Sequence, residues 1–251
     1  MPRQVEIRLL GRFQDAYLKY QHAQKHFVEL VGLINGLLQD KWWEPEKVEG
    51  APQGTVRIRI LRQPTHQWSL VLGDFIHNLR GCLDYATCGL VETADRTSDL
   101  KKVEFPFGRL GQPLNANDRG SIKGITPAGL EKLEAIRAEF GADLNFINTM
   151  SNQDKHRLLL PVAVHQVPMK LTIDEASNTA SIDEDIAGAV DVWTRRVRDG
   201  DEIVMPHMLS MGIGVLIEGE PMPFPLKHIE RVNHSVWAAF MALHHAAGNT
   251  D

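Results

Sequence analysis

The segment Leu70 to Val91, LVLGDFIHNLRGCLDYATCGLV, constrains the fold most. Leu72, Phe75, Ile76, Leu79, Leu83, Ala86 and Leu90 recur at steps of three and four. At ~100° per residue they fall on one side of a helix, which must bury that side against other elements. The opposite side carries Asp74, His77, Asn78, Arg80 and Asp84, and the segment contains neither Lys nor Glu. A solvated helix face is ordinarily rich in those two residues. A His, an Asn, an Arg and two Asp are instead the side chains that specific binding or chemistry uses.

Periodicity elsewhere predicts three further helices. Residues 7–38 carry Leu10, Phe13, Tyr17, Tyr20, Phe27, Leu30, Val31, Ile34, Leu37 and Leu38 at helical spacing with no Pro between them. Thr126-Pro127 starts a helix to about residue 140, with a short helix or turn at 143–152. Residues 226–247 form the last helix, with Ile229, Val232, Val236, Phe240 and Leu243 on one face. The alternation in Val56-Arg57-Ile58-Arg59-Ile60-Leu61 is that of a half-buried strand, and Gly50, Pro52 and Gly54 form the turn before it. This predicts a short hairpin near 42–61. Residues 93–126 read as a long ordered loop around the apolar pair of Phe105-Pro106-Phe107. From Leu158 the period changes to short β-type runs separated by turn signals roughly every ten residues.

The expected architecture is therefore α+β: mainly a helical bundle, with an antiparallel β unit inserted before the C-terminal helix. The divisions fall at 1–157, 158–220 and 221–251. With 43% hydrophobic and 24% charged residues the chain is of globular composition. Its net charge of −5 gives no global pull toward nucleic acid or acidic membranes. No run of 18 apolar residues marks a membrane span. The N-terminus lacks a signal-like apolar region. Cys82 and Cys88 sit about 240° apart on one predicted helix and cannot bridge there. These features together lead to the expectation of a cytoplasmic protein.

Two clusters are candidate sites. On the central helix, His77, Arg80 and Asp84 lie within about 60° of each other. Arg80 and Asp84 are spaced to pair, and such an Arg can hold a phosphate through two N–H groups. A buried polar network that fixes helix packing is an equal reading of the same residues. The second cluster, Ser151-Asn152-Gln153-Asp154-Lys155-His156-Arg157, combines an Asp with consecutive cationic side chains. Its simplest reading is a solvated helix end, and its alternative is anion recognition in a pocket shared with the first cluster. Asp74, His77, Asp84, Asp154 and His156 would be the ligands of a metal-dependent hydrolase, but no spacing matches a metal motif, so neither metal nor cofactor is expected. Of the histidines at 228, 234, 244 and 245, His234 and His245 face away from the apolar stripe of the last helix and read as solvent-facing rather than as metal ligands. Gly212-Ile213-Gly214 reads as strand, not as a phosphate loop, and no Gly-x-Ser-x-Gly motif is present.

Gly73-Asp74-Phe75-Ile76-His77-Asn78-Leu79-Arg80-Gly81-Cys82-Leu83-Asp84, followed by Phe105-Pro106-Phe107 and Asn152-Gln153-Asp154-Lys155-His156-Arg157, resembles a group of uncharacterised bacterial proteins. They carry a "GDxxHNLRxxLDH" helix, an "FP" segment and an "NxDKHR" segment. The central helix also resembles the motif helix of the HEPN superfamily, compact helical bundles that often dimerise. Many of these are metal-independent ribonucleases of toxin or defence systems, with Arg and His on one helix and four to six residues between them. Here Tyr85 stands at the matching position and residues 85–87 contain no His. The resemblance implies a homodimer and a site for RNA or a nucleotide-like phosphate ligand, non-catalytic or degenerate. If a reaction occurs, Arg80 with His77 or His156 would carry it. The ligand-binding candidates are Asp74, Asn78, Asp84, Tyr85, Asn152, Asp154, Lys155 and Arg157.

Overall fold

The computed structural model describes residues 11–95, 99–159, 161–166, 171–174, 179–182, 193–204, 211–218 and 224–248. Residues 7–10 of the expected first helix lie outside these, as do the parts of the expected β-type runs at 160, 169–170, 183, 189–192, 205–207 and 219. The chain is mixed helix and antiparallel sheet, in two compact units. One comprises Met1–Glu29, Val71–Leu158 and Ile229–Asp251; the other comprises Leu30–Leu70 and Leu159–His228.

The first unit is built from helices. It takes α1 (Arg12–Leu38) as far as Glu29, α2 (His66–Ala94) from Val71, the short α3 (Ala116–Gly120), α4 (Pro127–Asp154) and α5 (Ile229–Ala246). The apolar stripe of α2 forms its centre: Leu72, Phe75, Ile76, Leu79, Leu83 and Ala86 are wholly buried. Each such Leu or Phe contributes about 1.5–3 kcal/mol. Phe27 of α1 meets Phe75 with ring centroids 5.8 Å apart, and Phe13 meets His244 of α5 edge-on at 5.2 Å. His244 is thus buried between Phe13 and Phe240, while His234 and His245, on the face away from the apolar stripe, are exposed as expected.

Helix α4 starts where its cap predicts: the Thr126 hydroxyl accepts from the Gly129 N–H at 3.1 Å, ahead of Pro127 at the first turn. It then runs unbroken to Asp154, so the expected end near 140 and the separate turn at 143–152 are corrected. Gly141 sits at a close approach within it: a Cβ there would lie 2.6 Å from Leu110 Cδ1. The region expected as one loop also contains a 3-10 turn at Leu100–Lys102 and α3. Asn115 caps α3, accepting from the N–H groups of Asn117 and Asp118 while Asp118 returns a bond to the Asn115 N–H.

In the second unit, β1 (Trp43–Lys47) and β2 (Thr55–Ile60) form an antiparallel hairpin, Trp43 opposite Ile60 and Lys47 opposite Val56. The expected division grouped this hairpin with the helices. It pairs instead with β7 (Glu202–Val204) of the later β region, in the order β1-β2-β7. Ile58, Val197 and Ile203 form the buried cluster on this sheet. Arg57 and Arg59 point to the other face, on Glu202 at 2.7 Å and Glu46 at 3.0 Å. The remaining described strands are β3 (Pro161–Gln166), β4 (Leu171–Asp174), β5 (Thr179–Ile182), β6 (Trp193–Arg196), β8 (Met211–Val215) and β9 (Phe224–Pro225). They pair antiparallel as β6-β3-β8-β9 and β4-β5. No helix of the described residues is long and apolar enough to cross a membrane.

Candidate functional site

Arg80 is the centre of the site. It projects from the polar face of α2, its side chain 13% exposed. Nη1 donates to Asn148 Oδ1 at 2.7 Å and to Asn152 Oδ1 at 3.1 Å, both on α4. Those residues are four apart, one above the other on the helix. The guanidinium lies over the Phe107 ring at 5.2 Å, a cation–π contact. Its other edge behaves differently. Nε lies 3.8 Å from Asp84 Oδ2 and Nη2 lies 3.6 Å from Glu104 Oε2. Both are ion-pair distances but too long for hydrogen bonds. Among the described residues, the Nε/Nη2 edge therefore makes no hydrogen bond.

Arg80 lines a cavity of about 200 Å³, together with the 104–108 segment, Asn117, Asp118, Ser121 and Asn148. Asp84 supports it from below: its Oδ1 accepts from the Phe105 N–H at 2.9 Å and so ties the loop to α2. Burial raises the Asp84 carboxyl above its usual range. The Phe105 N–H, Arg80 and Lys155 oppose that rise, and Glu104 adds to it. Arg137 of α4 shapes the rest of the loop. It is 8% exposed and donates to three carbonyls: Nε to Phe107 at 3.0 Å, and Nη2 to Arg109 and Gln112 at 3.1 Å each. Gly108 has φ +59, and a Cβ there would lie 2.5 Å from Arg137 Nη2, so this turn requires glycine. Beyond the Phe105 and Phe107 wall lies a second cavity of about 290 Å³, with Leu110, Pro113, Ala138 and Leu144 in its lining.

The two sequence clusters touch. Asn152 bonds Arg80, and the Asp154 carboxylate lies where a Cβ on Gly73 would be, 2.7 Å from it. Only Arg80 of the expected site residues lines the polar cavity; Asp84 and Asn152 act through it. Asn78 turns back to its own helix, donating to the Asp74 carbonyl at 2.8 Å. Asp74, His77, Lys155, His156 and Arg157 are exposed, and Tyr85 and Asp154 are half-buried. Neither His77 nor His156 lines the cavity. Sequence reasoning missed Asn148, Asn117, Ser121, Glu104 as a site residue, and Arg137. Reading α4 as continuous would have placed Asn148 one turn before Asn152 on the same face.

Among the described residues, no group of three or more His, Cys, Asp or Glu is arranged to hold a metal ion. Cys82 and Cys88 are buried free thiols. Burial raises both, Cys88 to about 11 and Cys82 further, so neither is a ready thiolate. Comparison with protein-family models, curated proteins and solved structures gives no match.

Proposed function

We propose that the Arg80 cavity binds a nucleotide-like phosphate ligand or single-stranded RNA and does not cleave it. The observation that carries this reading is the half-satisfied guanidinium. Two Asn side chains fix one terminal nitrogen, the edge suited to bidentate phosphate contact lacks a hydrogen bond, and the residue lines a polar cavity. The amides of Asn117 and Asn148 and the Ser121 hydroxyl add donors and acceptors of the kind that read a base edge. Cleavage needs a proton-transfer group within reach of the scissile phosphate. His77 and His156 are exposed and outside the cavity lining, and Tyr85 replaces the histidine of the HEPN-like signature.

The same reading places the chain among HEPN-like proteins acting as a homodimer in the cytoplasm. Its support is the motif helix and the outer side of α1, where Leu18 and Val28 are 49% and 69% exposed. The binding test uses anisotropy of a fluorescein-labelled single-stranded oligoribonucleotide, with nucleoside monophosphates as competitors. Wild type binds and the RNA stays intact with or without EDTA. Arg80→Ala, checked for folding by circular dichroism, weakens binding at least about tenfold, the effect of losing charge-assisted hydrogen bonds. Absence of binding by wild type, or binding unchanged in Arg80→Ala, overturns the reading. Cleavage in EDTA that needs Arg80 with His77 or His156 would install the ribonuclease in its place.

A further inference from the structure

The second unit carries a different site. A cavity of about 120 Å³ lies at the end of the β1-β2-β7 sheet, with Arg62, Arg196 and Arg198 in its wall and Val162, Ala163 and Val197 against it. The backbone fixes all three arginines. Val197 continues the pairing of β6 with β3, its N–H donating to the Ala163 carbonyl at 2.9 Å, and its side chain is buried beside Ile58 and Ile203. Alternation then puts Arg196 and Arg198 on the outer side, their Cα atoms about 6.6 Å apart at ~3.3 Å per residue. The turn after them is laced to β2: Asp199 Oδ1 accepts from the Ile60 N–H at 2.7 Å, and the Gly200 N–H donates to Ile58 at 2.8 Å. This brings Arg198 to the end of β2. There the Arg62 N–H is bonded to the Trp42 carbonyl at 3.1 Å.

The pairing of the arginines in this unit is uneven. Arg57, Arg59 and Arg62 each bond a carboxylate, from Glu202, Glu46 and Asp40. Among the described residues, Arg196 and Arg198 have no carboxylate within ion-pair distance. Asp199 is the one acid in the cavity lining, and one of its oxygens already accepts a backbone bond. Asp201 Oδ2 likewise accepts from the Arg198 backbone N–H at 3.0 Å, so both nearby acids are held by the backbone, and an oxyanion shared between the two guanidinium groups would pair both. A cavity of this size, open to solvent beside the exposed Arg196 and Arg198, has room for a phosphate group.

We propose that this cavity is a phosphate site, taking inorganic phosphate or the terminal phosphate of a small molecule on Arg196 and Arg198, with Arg62 beside them. It is independent of the Arg80 cavity. The test is calorimetric titration of the full chain with inorganic phosphate, and anisotropy with an oligoribonucleotide lacking terminal phosphates. Phosphate binds wild type and Arg80→Gln alike. Arg196→Gln/Arg198→Gln, folded by circular dichroism, lowers phosphate affinity at least about tenfold. Arg196→Lys/Arg198→Lys retains part of it, and Lys25→Gln/Lys47→Gln, which removes the same charge elsewhere, leaves it unchanged. Four results overturn the proposal. They are no phosphate binding by wild type, equal binding by the Gln double variant, equal loss in the lysine control, and loss of oligoribonucleotide binding in place of phosphate binding. A fifth, loss of phosphate binding in Arg80→Gln alone, overturns it by assigning the anion to the other cavity.

Discussion

At the scale of single residues, the balance around Arg80 turns on Asp84. Asp84→Asn keeps an acceptor for the Phe105 N–H but removes a negative charge 3.8 Å from Arg80 Nε. Anionic-ligand affinity at neutral pH is expected to rise about two- to fivefold, the range of a partly screened charge pair. Burial raises the folded-state Asp84 carboxyl, so the folded chain holds its proton more tightly than the unfolded chain. Wild-type stability therefore falls as pH climbs through the range just above ordinary carboxylates, and the variant lacks that fall. The affinity difference closes as pH drops and Asp84 protonates. Anisotropy and urea denaturation across pH check both signs. Arg137→Ala is expected to cost at least about 2 kcal/mol, because three loop carbonyls lose one buried charged donor. Limited proteolysis should then cut within 107–112. Arg80 was legible in the sequence because its helix face is free of Lys and Glu. Arg137 was not, because its partners are backbone carbonyls, and any sequence offers those.

At the scale of elements, polar clasps set how the helices of the first unit meet. Asp143, 8% exposed, accepts from Arg231 Nε and Nη2 at 3.1 and 3.0 Å and from Ser235 Oγ at 2.7 Å, joining α4 to α5. Asp143→Ala is expected to lower the unfolding free energy by about 2 kcal/mol, chiefly by stranding the buried Ser235 hydroxyl. Asp143→Asn retains an acceptor and should cost less; denaturant titration ranks the two. Between α1 and α5, Gln24 and Asn233 exchange bonds at 2.8 and 3.2 Å. Tyr20 is half-buried, and burial pushes its phenol up to about 12, so it stays neutral. The hydrophobic period made α2 and α5 legible to within a few residues of their ends. It ended α4 near residue 140, and the continuation through Gly141, which packs against Leu110, was not legible from the apolar spacing. Strand partners were less legible than strands, since alternation tells which face is buried but not which distant segment pairs.

At the scale of the whole molecule, the proposed dimer has a direct measurement. Light scattering at micromolar concentration is expected to give twice the 28.2 kDa chain mass, and Val28→Lys on the exposed side of α1 should shift it toward the monomer. A monomer mass for wild type at that concentration would count against the dimer. Closure of the β1-β2-β7 sheet carries a consequence for synthesis. Arg57 and its partner Glu202 are 145 positions apart. A ribosome adding ~5–20 residues per second needs about 7–29 s to span that distance. For that interval the β2 edge faces the crowded cell without its neighbour, the condition under which nascent strands join the wrong chain. Arg57 and Arg59, alternating with the apolar residues of β2, put repelling charge along that edge. Their ion pairs in the finished sheet look dispensable, but the same charges guard the chain before it is complete.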